Sequence, residues 1–152
     1  YEGGIRIPAI INWPGVVPGG MISDELIISS DIFPNLMELL DIDFDHAIEG
    51  ESLLGHITRG DPVNRETLYW HYPHYHRGEM GSVIRDGNYK LIRFYENKRR
   101  ELYDLSADIG ETKDLSDELP LIRDSLESKL NSWKSRTGAR MPVPNPDYRD
   151  ID

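Results

Sequence analysis

His71, His74 and His76 crowd together with Tyr69, Tyr72, Tyr75 and Arg77 in one short stretch of the chain. A neutral imidazole donates or accepts a hydrogen bond, and a protonated one attracts an anionic group. Aromatic faces beside it can stack on sugar rings. This stretch is therefore the first candidate for ligand binding. The competing reading is a set of satisfied structural histidines in a loop stiffened by Pro73. His71-x-x-His74-x-His76 also invites a metal reading, but zinc takes three or four ligands with supporting partners, and no neighbouring pattern supplies them.

Other charged groups read more plainly. Arg85, Arg93, Lys98, Arg99 and Arg100 form a basic strip that includes a hairpin tip, where charges are ordinarily solvated. Asp104, Asp108, Glu111 and Asp114 lack the glycine and terminal glutamate spacing of a calcium-binding EF-hand loop. Arg6 follows the Gly3-Gly4 turn at the start of an apolar run, and a structural ion pair is expected for it. The chain has no cysteine, so neither disulfides nor thiolate metal sites are available to it.

The elements that must position these residues fall into two parts. Residues 5–12, rich in isoleucine, predict a strand buried on both faces, although Pro8 cannot donate to a sheet ladder. After a Pro/Gly loop, Ser30 or Asp31 is placed to cap a helix carrying Ile32, Phe33, Leu36, Met37, Leu39 and Leu40, with Pro34 in its first turn. From Glu66 onward, strand-like runs follow at 67–71, 82–86, 89–95 and 101–105. Asp86-Gly87-Asn88 and Glu96-Asn97-Lys98 supply turns between them. A meander of this kind needs one face covered. Its cover is a helix capped by Asp117, with Pro120 in its first turn, an apolar stripe of Ile122, Leu126, Leu130 and Trp133, and Gly138 as its stop. The expected fold is α+β. A small antiparallel sheet of about four strands is packed by a C-terminal helix, with an N-terminal strand-helix piece of a larger α/β domain. The division expected is residues 1–60 and residues 61–152.

A net charge of −10 repels nucleic-acid phosphates and anionic lipid alike, so neither nucleic acid nor membrane is expected as a partner. No apolar run approaches the ~20 residues of a membrane-spanning helix.

Several strings, taken in order, carry a resemblance. They are Tyr1-Glu2-Gly3-Gly4-Ile5-Arg6-Ile7-Pro8 with Ile10 to Gly15; Ser30-Asp31-Ile32-Phe33-Pro34; and Gly50-Glu51-Ser52-Leu53-Leu54. Leu68-Tyr69-Trp70-His71-Tyr72-Pro73-His74-Tyr75 follows, then Ile84-Arg85-Asp86-Gly87 leading to Lys90-Leu91-Ile92. The last is Glu101-Leu102-Tyr103-Asp104-Leu105 with Asp108, Gly110-Glu111 and Asp114-Leu115. Together they resemble the C-terminal portion of the type I sulfatases, of the alkaline-phosphatase-like superfamily. Ile109 and Asn35 depart from the family pattern, which often has proline and threonine there.

The resemblance implies a parent enzyme that hydrolyses sulfate esters, often of sulfated carbohydrates, with a formylglycine and bound calcium. In family members the formylglycine arises in a Cys/Ser-x-Pro/Ala-x-Arg motif. The last calcium ligand and a sulfate-contacting lysine lie just before the Tyr-Glu-Gly-Gly string. No residue of this chain matches those positions, so no catalytic residue or metal ligand is assigned, and the chain alone is expected to be inactive. Its start is expected to be internal to a longer protein. In similar sulfatases, loops of the histidine-rich region reach the active-site rim, which implies substrate-binding roles for His71 and His74. Periplasmic or secreted placement is implied as well. The alternatives are a non-catalytic oligomerisation or carbohydrate-binding module, and a phosphonate or phosphate ester hydrolase of the same superfamily. An N-terminal piece without sheet neighbours is also open to homo-oligomer formation.

Overall fold

The computed structural model of the chain describes residues 1–75, 78–143 and 145–146. In chain order the helices are α1 (Glu2–Ile5), α2 (Ile32–Leu39), α3 (Leu54–Arg59) and α4 (Pro120–Thr137). The strands are β1 (Thr67–Tyr72), β2 (Gly81–Asp86), β3 (Tyr89–Phe94) and β4 (Arg100–Asp104). Two compact units result: Tyr1–Arg6 with Thr67–Asp152, and Ile7–Glu66.

The first unit has the expected α+β architecture. Its sheet is antiparallel throughout, in the order β1-β2-β3-β4. Gly87 turns the β2–β3 hairpin at φ +56°, a conformation open to glycine at little cost. The register sets Ile84 opposite Leu91 and Leu91 opposite Leu102. These three side chains share one face and close against Leu126 and Leu130 of α4. Burying each such leucine or isoleucine contributes roughly 1.5–3 kcal/mol. The helical spacing of Ile122, Leu126, Leu130 and Trp133 keeps one stripe of α4 on the sheet. Tyr69 stacks flat on Trp133, with ring centroids 4.9 Å apart. Ile92, Phe94, Tyr103 and Leu105 cluster on the opposite face.

Two details of α4 differ from the sequence reading. Leu119, not Asp117, occupies its N-cap, with Pro120 at the first helical position. Pro120 lacks the amide hydrogen that a capping carboxylate would otherwise satisfy. Asp117 is fully exposed and lies 3.9 Å from Arg123. At the other end Gly138 stops the helix as expected, at φ +64°.

The unit Ile7–Glu66 contains α2 and α3. No strand forms at residues 5–12: Ile5 ends α1, and Ile7 and Ile10 are exposed. A strand buried on both faces needs partners on both edges, and pairing among the described residues is confined to β1–β4. Helix α2 begins where Ser30-Asp31 and Pro34 place it. Asp31 does not cap it through its side chain, however. Its carboxylate is buried and grips Arg65 in a bidentate pair, Oδ2 to Nη1 at 2.6 Å and Oδ1 to Nη2 at 2.7 Å. The same carboxylate accepts the amides of Ile28 and Glu51, at 2.8 and 2.9 Å.

Candidate functional site

The histidine-rich stretch lies at the C-terminal end of edge strand β1. Residue alternation puts His71 on the α4 side of the sheet, with Tyr69, and directly opposite Ser82 of β2. Its Nδ1 lies 2.9 Å from Ser82 Oγ and 2.7 Å from the Tyr95 hydroxyl, while Nε2 is 2.8 Å from the carbonyl oxygen of Arg140. A carbonyl can only accept, so Nε2 carries the proton and Nδ1 accepts from a hydroxyl. Ser82 Oγ and the Tyr95 hydroxyl are themselves hydrogen-bonded. The Gly138 stop makes this arrangement possible: after it the chain reverses, Ala139 bonds back to Lys134, and Arg140 passes the end of β1. Burial pushes the Tyr95 phenol up, so it serves as a neutral donor. Lys134 lies over the Tyr95 ring at 5.5 Å; burial and then nearby Arg93 hold its ammonium below the usual lysine range.

His71 is therefore engaged at both ring nitrogens inside the fold. A direct substrate contact through either one would first have to break a bond to Tyr95, Ser82 or Arg140. His74 is placed differently. Pro73 carries the chain out of the strand, and His74 is exposed, its ring tilted 42° against Tyr72 at 4.1 Å. The exposed Tyr75 donates to Glu96, which ties the loop to the β3–β4 turn. His76 and Arg77 lie outside the described residues, and with them the third member of the histidine metal reading.

The other candidates resolve as internal pairs. Arg85 lies 3.7 Å from Glu2, Arg93 3.1 Å from Glu127, and Arg100 3.0 Å from Glu127; Arg99 pairs with Glu79 and Glu101. The four arginines of the basic strip are thus paired with carboxylates of the same unit. Asp104 accepts from Ser106, Asp108 from the amides of Thr112 and Lys113, and Asp114 from the amides of Leu102 and Ser116. Glu111 is buried beside Lys90. Asp104 and Asp108 bond within their own turns, Asp114 also reaches Leu102 and Glu111 reaches Lys90, so the four acids do not meet at one centre and do not fit a calcium site. With no cysteine in the chain, a formylglycine made from cysteine does not fit either. Among the described residues no group of three or more metal-ligating side chains gathers. Arg6 does not make the ion pair expected of it: Glu2 takes Arg85 and Lys90 instead, and Arg6 is exposed.

The sequence reading missed the partners of these groups. Ser82 faces His71 across the β1–β2 pair, a register that the Gly87 turn between β2 and β3 does not fix. Nothing local marks Arg140 or Tyr95 as neighbours of that ring, and nothing marks Arg65 as the partner of Asp31.

The chain matches the family model described as N-sulphoglucosamine sulphohydrolase, C-terminal, over residues 1–136. It is 30% identical to a sulfatase of Formosa agariphila over 91% of this chain and 29% of that protein. It is 33% identical to an uncharacterized sulfatase of Schizosaccharomyces pombe over 90% of this chain and 26% of that one. The chain thus spans under a third of the length of these relatives. Among solved structures, BT4656 in complex with its substrate D-glucosamine-2-N,6-O-disulfate superposes with a TM-score of 0.62 at 25% identity, covering 74% of this chain and 24% of that one. BT1596, a 2-O GAG sulfatase, superposes with a TM-score of 0.62 at 23% identity over 72% of this chain and 25% of that one, a likeness of fold.

Proposed function

This chain belongs to the sulfatase family, matching its C-terminal domain, and from that membership we propose that it forms the C-terminal part of a sulfuric ester hydrolase acting on sulfated carbohydrate. The observation that carries this reading is the family match, which runs through nearly the whole chain. The neighbour solved with a disulfated glucosamine supports the substrate class. In this reading the nucleophile, the formylglycine and the calcium ligands belong to the rest of the parent protein, and the chain by itself does not turn over a sulfate ester.

Residues 1–60 would close the α/β catalytic domain and residues 61–152 would form the C-terminal subdomain. The surface of Ile7–Glu66 supports this: Ile7, Ile10, Ile22, Ile32 and Leu40 are all more than half exposed. Apolar surface on that scale marks an interface that a larger domain would cover. Tyr1–Arg6 is the exception, since it packs with the sheet.

The part given to the C-terminal subdomain is a rim contact. His74, exposed beside Tyr72, offers a hydrogen bond to a sugar hydroxyl when neutral and attraction to a sulfate when protonated. His71 holds the end of β1 in place and acts through His74, as a positioning residue. The test uses full-length protein and a sulfated amino sugar. His74→Ala is expected to raise KM about 10-fold, the loss of one good hydrogen bond to a charged group, with kcat little changed. Unchanged KM and kcat would remove His74 from the site. Absence of sulfate release by the unmodified full-length protein, across sulfated sugars and aryl sulfates, would overturn the sulfatase reading itself.

A further inference from the structure

Lys90 is buried completely, on the sheet face turned away from α4. Its Nζ lies 2.9 Å from Glu2 Oε1 and 2.9 Å from Glu111 Oε1. The amide of Glu2 donates to Glu111 Oε2, and Arg85 stands 3.7 Å from Glu2 Oε2. The contact to Glu111 Oε1 is an ion pair without an aligned hydrogen bond, so this oxygen is held by charge alone. Alongside, the Tyr1 hydroxyl donates to Glu101 at 2.7 Å, and its ring meets Tyr103 edge-on. These contacts bring residues 1 and 2 onto strands and a turn that lie about a hundred positions away.

Two features mark the cluster as more than filler. Glu111 holds φ +53°, a conformation that glycine adopts freely and a glutamate does not. The carboxylate carried at this strained position is the one that meets Lys90 and the Glu2 amide. Moreover, buried charge clusters stabilise little compared with apolar residues of the same volume, whereas they accept far fewer geometries. An apolar patch would let residues 1–6 slide; two carboxylates around one ammonium fix a single placement.

We propose that Lys90, Glu2 and Glu111 are positioning residues for the reaction. They lock Tyr1–Arg6 to the sheet, and so set where the polypeptide leading into this C-terminal region stands relative to the rim at His74. This inference rests on the sulfatase reading above, and the experiment separates the two.

In the 152-residue chain, hydrogen exchange is followed at the amides of Glu2 and Arg6, bonded to Glu111 and to the Glu2 carbonyl, and at β2 and β3 as internal reference. Lys90→Met leaves two carboxylates facing each other, so protection at Glu2 and Arg6 should be lost while the β2 and β3 amides keep theirs. Glu2→Gln, which preserves shape and the Lys90–Glu111 pair, should give a smaller loss at the same amides and stands in if Lys90→Met does not fold. Unchanged protection at Glu2 and Arg6 in the folded variant overturns the lock. In full-length enzyme both variants should lower kcat about 10- to 100-fold per folded molecule, with KM within about twofold. A merely structural role would reduce the folded amount and leave kcat per folded molecule alone, which also overturns the proposal. If the unmodified full-length protein releases no sulfate, the sulfatase reading fails, while the exchange result still decides the lock.

Discussion

Asp31→Ala should unfold the unit Ile7–Glu66 and leave the sheet unit standing. The Asp31 carboxylate takes both Nη1 and Nη2 of Arg65, and the amides of Ile28 and Glu51 as well. Arg65 and Asp31 are both buried, so truncation leaves a desolvated guanidinium and two unpaired amides. Removing one member of a buried ion pair costs about 3–5 kcal/mol. Little in this unit can offset that loss: Arg65 keeps the 3.4 Å contact to the exposed Glu51, and Leu53 is the one buried aliphatic or aromatic side chain, proline aside, among the unit's described residues. The assay is limited proteolysis with mass mapping. At about 1.4 kcal/mol per tenfold, cleavage within 7–66 should accelerate by roughly 100-fold or more, while 67–143 retains its resistance. The same ion pair sets a pH dependence. Burial alone would raise the Asp31 pKa, but Arg65 and the Glu51 and Ile28 amides outweigh it and hold the carboxyl below the ordinary range. A carboxyl depressed in the folded state stabilises above its unfolded pKa, about 3.9, and that stability is lost as pH falls through the folded value. Protection of this unit should therefore be steady above about pH 5 and decline on acidification below about pH 4. Equal cleavage rates in Asp31→Ala and the unmodified chain would mean that the Asp31–Arg65 pair does not hold this unit together.

Gly50→Ala tests the same hub from the other side. A Cβ there would sit 2.1 Å from the Ser30 carbonyl oxygen, so the backbone must move apart and the Glu51 amide must draw away from Asp31. A loss of about 1–3 kcal/mol is expected, read as faster exchange at Glu51 and Ile28. Leu91→Ala should cost the sheet unit about 2–5 kcal/mol in chemical denaturation, because Leu91 is fully buried among Ile84, Leu102, Leu126 and Leu130.

Much of the sheet unit was readable along the chain. The four strands begin and end within one residue of their expected bounds, because each is a short run closed by turn residues such as Gly87. Once the hairpin turn is fixed, antiparallel register follows by counting, and the faces of Ile84, Leu91 and Leu102 follow with it. The strand expected at 5–12 failed for a related reason. Strand propensity says that a segment can pair but does not supply its partner, and among the described residues pairing is confined to β1–β4. The Asp117 cap failed because Pro120, three residues on, lacks the amide hydrogen that a carboxylate at that cap would take, and the helix starts at Pro120 instead.

Alternation, helical spacing and turn positions are properties of neighbours along the backbone, and so they could be read along the chain. What each polar group meets depends on the closed fold. It turned His71 inward onto Tyr95 and the Arg140 carbonyl, left His74 exposed, and drew Asp31 to Arg65 and Lys90 to Glu2 and Glu111. Periodicity carries no information about partners dozens of residues apart. Those pairings are fixed by the cost of burying a charge without its counterpart, and that cost exists only once the chain has closed around it.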